Sequence, residues 1–412
     1  MNYNPGNMIK EIFLLQNPWR ENSNYTFALK KRNILQALVD NLENELIIGL
    51  TGSRQVGKSS LMELLIEKLL SKGISIGNIF YFNLDDLKLH ELFSSIPEFI
   101  QFLGSGQERK YIFIDEIQRH PSPGLFLKEI FDLKRNIKII FSGSSQLEIK
   151  AKTKEHLVGR SRIFIINRLS FNEYLDFAAP ITLQETLNNI LLYGSYPAVA
   201  KENNIMGKKL RIKDIFQSYV QKDLIDFLDI KDIDKYNKFL VKAAMQAGNL
   251  LNIQSIAKEL STPRSKIEEF LNILEYTFIC KRIQPFHKNY NKEIRKTPKL
   301  YFLDMGLRNF ILNNFNSLDL RTDVGSLFEN FVFNELLAND NYSMKKINFW
   351  RTTNKTEIDF IVQQQGQIKA IEVKWNSNRK PKSFQTIETL YPEIETMLIT
   401  KENYLTEGQK QL

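Results

Sequence analysis

Cysteine is almost missing from this chain: Cys280 is the one thiol in 412 residues. It has no partner for an internal disulfide, and the four histidines are scattered, so no His/Cys grouping has zinc-site spacing. An internal disulfide is therefore excluded, the histidine and cysteine pattern argues against a structural metal, and a reducing cytoplasm is the expected compartment. Long apolar runs are lacking as well, since no stretch approaches the ~18 residues of a spanning helix. The opening segment is interrupted by Pro5, Lys10, Glu11 and Pro18, which does not suit a secretory leader. These absences predict a soluble protein with no membrane partner. Acidic residues are in deficit, 47 against 56 Lys/Arg, for a formal charge of +9.

That surplus is concentrated between residues 201 and 300, which hold 20 Lys/Arg and 12 Asp/Glu. Within it, Lys281, Arg282, Lys288, Lys292, Arg295, Lys296 and Lys299 face the single acid Glu293. Such a cluster is the electrostatic footprint of a nucleic-acid surface, and possible DNA contact is assigned to it; a solvated basic hairpin without a partner is the alternative.

At 43% hydrophobic and 25% charged, the chain has material for two or three globular domains. Its strongest local signal is Leu46-Ile-Ile-Gly-Leu-Thr-Gly-Ser-Arg-Gln-Val-Gly-Lys-Ser-Ser60, an apolar strand entering a Gly-rich turn and then a helix. Gly52, Ser53, Arg54, Gln55, Val56, Gly57, Lys58 and Ser59 fit G-x-x-x-x-G-K-[ST], with Ser60 completing the helix start. Backbone N–H groups at such a turn converge on phosphate oxygens, Lys58 neutralises the β- and γ-phosphates, and the Ser59 hydroxyl ligates Mg²⁺. ATP and Mg²⁺ are the expected cofactors. Leu61, Leu64, Leu65 and Leu69 recur at helical spacing, so the phosphates face a helix N-terminus.

Residues 20 to 45 have helical period, with Ile34, Leu35, Leu38, Val39 and Leu42 on one face, and predict a lead-in helix. Asn78 to Leu84 reads as a second buried strand and Lys110 to Glu116 as a third. The third ends in a carboxylate pair, the pattern in which Asp115 holds Mg²⁺ and Glu116 orients or deprotonates the attacking water. A fourth strand, Asn136 to Phe141, ends at Ser142, placed to sense the γ-phosphate, with Ser144 a second candidate and a plain ST-turn the alternative. Ile163 to Ile166 is a fifth. Arg160 just before it, with Arg162 in reserve, is a candidate arginine finger acting in its own or a neighbouring subunit; a homo-oligomer follows from the second case and an ordinary surface arginine is the alternative. Strands alternating with helices imply an α/β fold with a parallel sheet and the nucleotide beyond the strand C-termini.

Leu183 to Leu192 and Ile212 to Phe227 have amphipathic spacing around the break Tyr193-Gly-Ser-Tyr-Pro197, which predicts a helical lid or connector. Residues 248 to 303 have the order of a winged helix: Ile253 to Leu260, a Ser-Thr-Pro turn, Arg264 to Tyr276, then the basic hairpin. Such a module contacts DNA or serves as a rigid joint. The last constellation is Glu329 on an apolar-faced helix, Asp359 on a strand, and Glu372 with Lys374 on the next. Two carboxylates beside a lysine bind Mg²⁺ and position a hydrolytic water against a phosphodiester.

Taken together the chain resembles the bacterial and archaeal family of AAA-type P-loop ATPases that carry a C-terminal winged helix and a restriction-endonuclease-like domain. The marks of the resemblance are Gly52 to Ser60, Phe113-Ile-Asp-Glu-Ile-Gln118, Ser142 to Ser145, Gly159-Arg160, Leu169 to Glu173, Lys299 to Asp304, Glu329, Trp350-Arg351, Glu357 to Asp359 and Ile371 to Lys374. It implies an additional-strand ATPase core over 1–170, a helical lid or connector over 171–245, a winged helix over 246–305 and a PD-(D/E)XK-type α/β domain over 306–412. Ser53 stands where the family commonly has Pro, Ser59 where it has Thr, and Ser195 where it has a second Gly; a downstream Gln/Tyr helix motif of the more active nuclease relatives is lacking. The expected function is Mg²⁺-dependent ATP hydrolysis that drives or gates a DNA-associated nuclease-like module. The alternatives are a metal-dependent DNA nuclease regulated by ATP and an ATP-dependent signalling switch without nucleic acid.

Overall fold

The structure, a computed structural model, describes residues 5–22, 25–143, 156–178, 182–218, 233–286, 297–377 and 379–406. The chain divides into two compact units, 1–53 with 57–166, and 167–412 with 54–56. In the first, α1 (Pro5–Gln16) and α2 (Leu35–Val39) precede β1 (Ile47–Thr51) and α3 (Lys58–Ser71); β2 (Ile79–Asn83), α4 (Leu89–Phe93), α5 (Ile96–Leu103), β3 (Lys110–Asp115), α6 (Pro123–Asp132), β4 (Ile137–Gly143) and β5 (Ser161–Ile165) follow. The five strands pair in the order β2-β3-β4-β1-β5, all parallel. The expected lead-in helix shrinks to α2; the described residues 25–34 before it take no regular helix.

β1 and β3 are buried at every position, as strands covered on both faces must be. The strand order sets β4 between the strand feeding the P-loop and β3, so Ser142 stands beside both. The edge strand β2 is closed by side chains instead of a sixth strand. Asn17 exchanges two 2.8 Å hydrogen bonds with the Tyr81 backbone, Gln16 accepts from Asn83 N, and Arg20 donates to Ile79 O at 2.7 Å. Unpaired edge groups are an association hazard, and these contacts remove it. Phe13 of α1 fixes the arrangement by packing on Phe80 and Phe82, with ring centroids 5.8 and 5.3 Å away.

The second unit begins with α7 (Phe171–Phe177), α8 (Leu183–Tyr193), α9 (Pro197–Ala200), α10 (Ile205–Ser218) and α11 (Ile233–Met245). Then come α12 (Ile253–Glu259), α13 (Arg264–Tyr276) and the antiparallel pair β6 (Cys280–Ile283) and β7 (Lys299–Phe302), the expected helix-turn-helix and hairpin order. The expected helical stretch beyond Ser218, to Phe227, lies outside the described residues. α14 (Met305–Ile311) and α15 (Val324–Ala338) lead into β8 (Lys346–Arg351), β9 (Glu357–Gln364), β10 (Gln367–Lys374), α16 (Lys382–Leu390), β11 (Glu395–Thr400) and α17 (Lys401–Thr406). The sheet order is β11-β10-β9-β8, antiparallel except for the parallel β10–β11 pair, which α16 connects.

Two quoted motifs meet here for structural reasons. Asp304 caps α14 through Leu307 N at 2.9 Å and accepts Ser195 N at 2.8 Å. Gly194 has φ +78° and Gly306 abuts the Tyr193 carbonyl, so neither position has room for a Cβ. The Gly-Ser-Tyr-Pro break is thus a seat for α14, and α8 packs along α14.

Candidate active site

The P-loop leaves β1 and turns into α3 through two left-handed residues, Gln55 (φ +60°) and Gly57 (φ +96°). Glycine is needed at the two ends for different reasons. Gly57 takes a backbone conformation that a side chain resists, whereas a Cβ at Gly52 would strike the Ile166 carbonyl at the exit of β5. Lys58 is buried, and its Nζ donates to Gly52 O at 3.0 Å and Ser53 O at 2.9 Å, which lays the ammonium along the inside of the turn. Ser59 and Ser60 are half-buried in the first turn of the 14-residue α3, where free N–H groups and the helix dipole favour an anion.

Asp115 ends β3 and is 2% exposed. Ser142 Oγ donates to its Oδ1 and accepts Glu116 N at 3.1 Å, so one hydroxyl ties the two carboxylate residues together. Ser142 stands near the end of β4, next to the strand that feeds the P-loop, and Ser144 lies outside the described residues. Tyr81 donates to Asp115 Oδ2 at 2.8 Å. Glu116 sits at φ +55°, a strained setting for a residue with a side chain, and Gln118 Nε2 donates to its Oε2. Burial raises the Glu116 carboxyl above its ordinary value, and the Lys58 charge opposes the shift. A carboxylate tuned upward is a better proton acceptor near neutral pH. The Ser59 hydroxyl and Asp115 carboxylate are hard oxygen donors of the kind Mg²⁺ takes, so the residues present fit that ion.

The C-terminal constellation is also brought together, with additions. Glu372 lies one step beyond the Ile371–Phe360 pair, opposite Asp359, and Val373 N donates to Asp359 Oδ2 at 2.8 Å. Lys374 holds Glu372 Oε1 at 2.7 Å, while Glu372 Oε2 is buried without a hydrogen-bond partner. Glu329 reaches in from α15. Lys299 of β7 enters the same group: its Nζ is 2.5 Å from Glu357, 3.3 Å from Glu329 and 3.9 Å from Asp359. Tyr301 donates to Glu329 at 2.5 Å, and Arg351 pairs with Glu357 at 2.9 Å. Burial and the neighbouring Asp359 raise both Glu329 and Glu372 to about 7.

Family models match three stretches of the chain: one described as "AAA domain" over residues 44–175, and two domains of unknown function, DUF8612 over 184–318 and DUF4143 over 324–412. The chain carries an AAA-type P-loop ATPase domain. An uncharacterized protein of Haemophilus influenzae is 25% identical over 390 residues, 91% of this chain and 92% of that protein. An uncharacterized protein of Mycobacterium tuberculosis is 22% identical over 352 residues, 85% of this chain and 75% of that protein. Among solved structures, AMPPCP-bound DnaA from Aquifex aeolicus matches with a TM-score of 0.31 and 13% identity, over 59% of this chain and 86% of that one. A DNA replication initiation factor matches with a TM-score of 0.30 and 16% identity, over 59% of this chain and 75% of that one. At these scores the likeness is loose.

Two expectations need correction. In the ATPase domain Arg160 precedes β5 at the amino end of the sheet: its carbonyl accepts Ile47 N, and its guanidinium pairs with Asp132 at 2.9 Å. The P-loop leaves β1 at the other end, about 16 Å away at ~3.3 Å per residue. Arg160 therefore does not serve the nucleotide site of its own chain, and Arg162, at the same end, donates to Asn41. The second correction concerns the basic cluster. Lys299 is buried among carboxylates rather than presented to a partner, and Arg282 is tied to Glu275 and Asn272. On α13, Arg264 pairs with Glu268 and Lys266 with Glu269. Lys281 is exposed, and Lys288, Lys292, Arg295 and Lys296 lie outside the described residues. Among the described residues no helix is long and apolar enough to cross a membrane.

Sequence reasoning gave no role to Tyr81, Gln118 or Glu357, the last two quoted only as family marks, and missed the burial of Lys299. One signal was available for Lys299: period two on β7 puts it on the face of Tyr301, a residue that strands normally bury beside aromatic neighbours.

Proposed function

We propose that this protein is an Mg²⁺-dependent ATPase whose nucleotide cycle drives or gates its C-terminal nuclease-like module. The observation that carries the reading is the join of Ser142, on the strand β4 next to the one feeding the P-loop, to both Asp115 and Glu116 at the end of the adjoining β3. Lys58 and the N–H groups opening α3 bind the phosphates. Ser59 and Asp115 would hold Mg²⁺, which when bound supplies charge neutralisation at the β- and γ-phosphates. Glu116 orients the attacking water and takes its proton, and Ser142 relays the state of the γ-phosphate to the Asp115 carboxylate and the Glu116 backbone N–H. Steady-state ATP turnover with and without duplex DNA tests it. Lys58→Ala is expected to abolish hydrolysis, and retained turnover would sink the assignment. Arg160 remains a candidate finger for a neighbouring subunit, tested by whether Arg160→Ala lowers turnover and whether turnover per subunit rises with concentration.

A second reading, a metal-dependent DNA nuclease regulated by ATP, draws support from the order α15-β8-β9-β10-α16-β11 and from Glu329, Asp359, Glu372 and Lys374 sharing one cluster, the pattern of a PD-(D/E)XK domain. Plasmid nicking with Mg²⁺ or Mn²⁺ that is lost in Asp359→Ala would establish it. A third, a switch without nucleic acid, is favoured by the ion pairs that neutralise α13 and β6, in which case α11 to β7 act as a winged-helix joint. Salt-dependent DNA affinity that falls when the Lys281 to Lys296 positions are neutralised would exclude it.

A further inference from the structure

A PD-(D/E)XK reading implies a divalent ion held by Glu329, Asp359 and Glu372. The donors present do not fit it. Among the described residues, no group of three or more His, Cys, Asp or Glu side chains stands where it could hold a metal ion. One oxygen of each carboxylate is taken by a donor or cation, Glu329 Oε1 by Tyr301 and Lys299, Asp359 Oδ2 by Val373 N and Glu372 Oε1 by Lys374, and the Lys299 ammonium stands 3.9 Å from the remaining Asp359 Oδ1.

We infer that Lys299 is the resident cation of this cluster, and that it closes the cluster to divalent metal in the native protein. Its ammonium is 3% exposed and within 4 Å of three carboxylates from two elements, α15 and β9. It is not a swinging side chain. Its backbone is pinned on one side by Ile283 of β6 and on the other by a bridge to Leu250, and its Nζ lies 5.6 Å from the Phe349 ring centroid. With Lys374 and Arg351 it brings three cations to Glu329, Glu357, Asp359 and Glu372. Mg²⁺ demands oxygens at about 2.0–2.1 Å in a near-octahedral set, and an ammonium already seated against Glu329 and Asp359, two of the three carboxylates, competes for that set.

The inference opposes the second reading, because a cluster closed to metal does no metal-dependent cleavage, and it leaves the ATPase reading untouched: its readout is metal binding at Asp359 rather than ATP turnover, so the failure of either is told apart from the failure of the other. Mn²⁺ binding is followed by electron paramagnetic resonance on full-length protein carrying Asp115→Asn, which removes the P-loop contribution. With Lys299 intact, no bound Mn²⁺ that depends on Asp359 is expected. One equivalent that disappears in Asp359→Asn would overturn the inference. Lys299→Met, close in shape and uncharged, is expected to gain an Asp359-dependent Mn²⁺ site at least tenfold tighter than any in the parent, whereas Lys299→Arg gains none. A folded Lys299→Met protein without that gain also overturns it. Should Lys299→Met fail to fold, the intact-lysine arm decides alone.

Discussion

The phenol of Tyr81, on edge strand β2, donates a 2.8 Å hydrogen bond to Oδ2 of Asp115 at the end of β3. Ser142 occupies Oδ1, so the carboxylate is gripped from both neighbouring strands. Partners of this kind orient a metal ligand, and losing one typically weakens metal affinity or activity by about 10–100-fold. Tyr81→Phe should therefore raise the Mg²⁺ concentration for half-maximal ATP turnover, roughly three- to tenfold given the net worth of one hydrogen bond. Nucleotide binding without Mg²⁺ should not change. An unaltered Mg²⁺ requirement would show the contact to be structural only.

Glu116→Gln separates binding from chemistry. The amide keeps the size of the side chain and its contact with Gln118 but cannot take a proton. ATP affinity should survive while turnover drops by about 10²–10⁴, the usual contribution of a general base. Equilibrium binding of a fluorescent ATP analogue, set beside single-turnover hydrolysis, distinguishes this from a folding defect that lowers both.

Glu335 gives the second unit a pH signature. It accepts Phe171 N and the Tyr404 hydroxyl, both at 2.9 Å, and burial raises its carboxyl to about 7. The folded form holds its proton to higher pH than the unfolded chain does. Stability from this group is complete below about pH 4.5 and declines as pH rises toward and through 7. Glu335→Gln retains an acceptor for Phe171 N and removes the titration. Urea midpoints between pH 5 and 8 should fall more steeply for the parent than for the variant, and parallel curves would contradict the assignment.

Gly194→Ala tests the seat of α14. Both the left-handed φ of +78° and the Asp304 carboxylate at the Cβ position oppose a side chain. Strain and displacement of a buried cap together should cost about 2 kcal/mol or more. Chemical denaturation is the direct measure, and a loss below about 0.5 kcal/mol, the range of neutral surface changes, would mean the seat yields freely.

Legibility in the sequence tracked burial and locality. β1, β3 and β4 are apolar runs covered on both faces, and each was readable from composition alone. β8 and β11 passed unread because they are the two edges of their sheet, and an edge strand such as Glu395–Thr400, buried only at its last two residues, lacks a clean alternation. α1 escapes the sequence reading because Phe13, its buried residue among those whose side chains are described, meets partners almost 70 residues away on β2.

The chain by itself marked out the P-loop and the pair Asp115 and Glu116. In both cases the functional atoms belong to consecutive residues, and backbone geometry is enough to set their spacing. Only the tertiary structure decided where lone charges face. Arg160 and Lys299 looked alike in the sequence, as cations awaiting a ligand. Strand pairing turned the first toward Asp132 at the wrong end of the sheet and the second into a nest of carboxylates contributed by α15 and β9. A charged side chain is drawn to whatever opposite charge the fold brings within a few ångströms, and that neighbour can lie 30 or 60 residues away, as Glu329 and Asp359 do from Lys299.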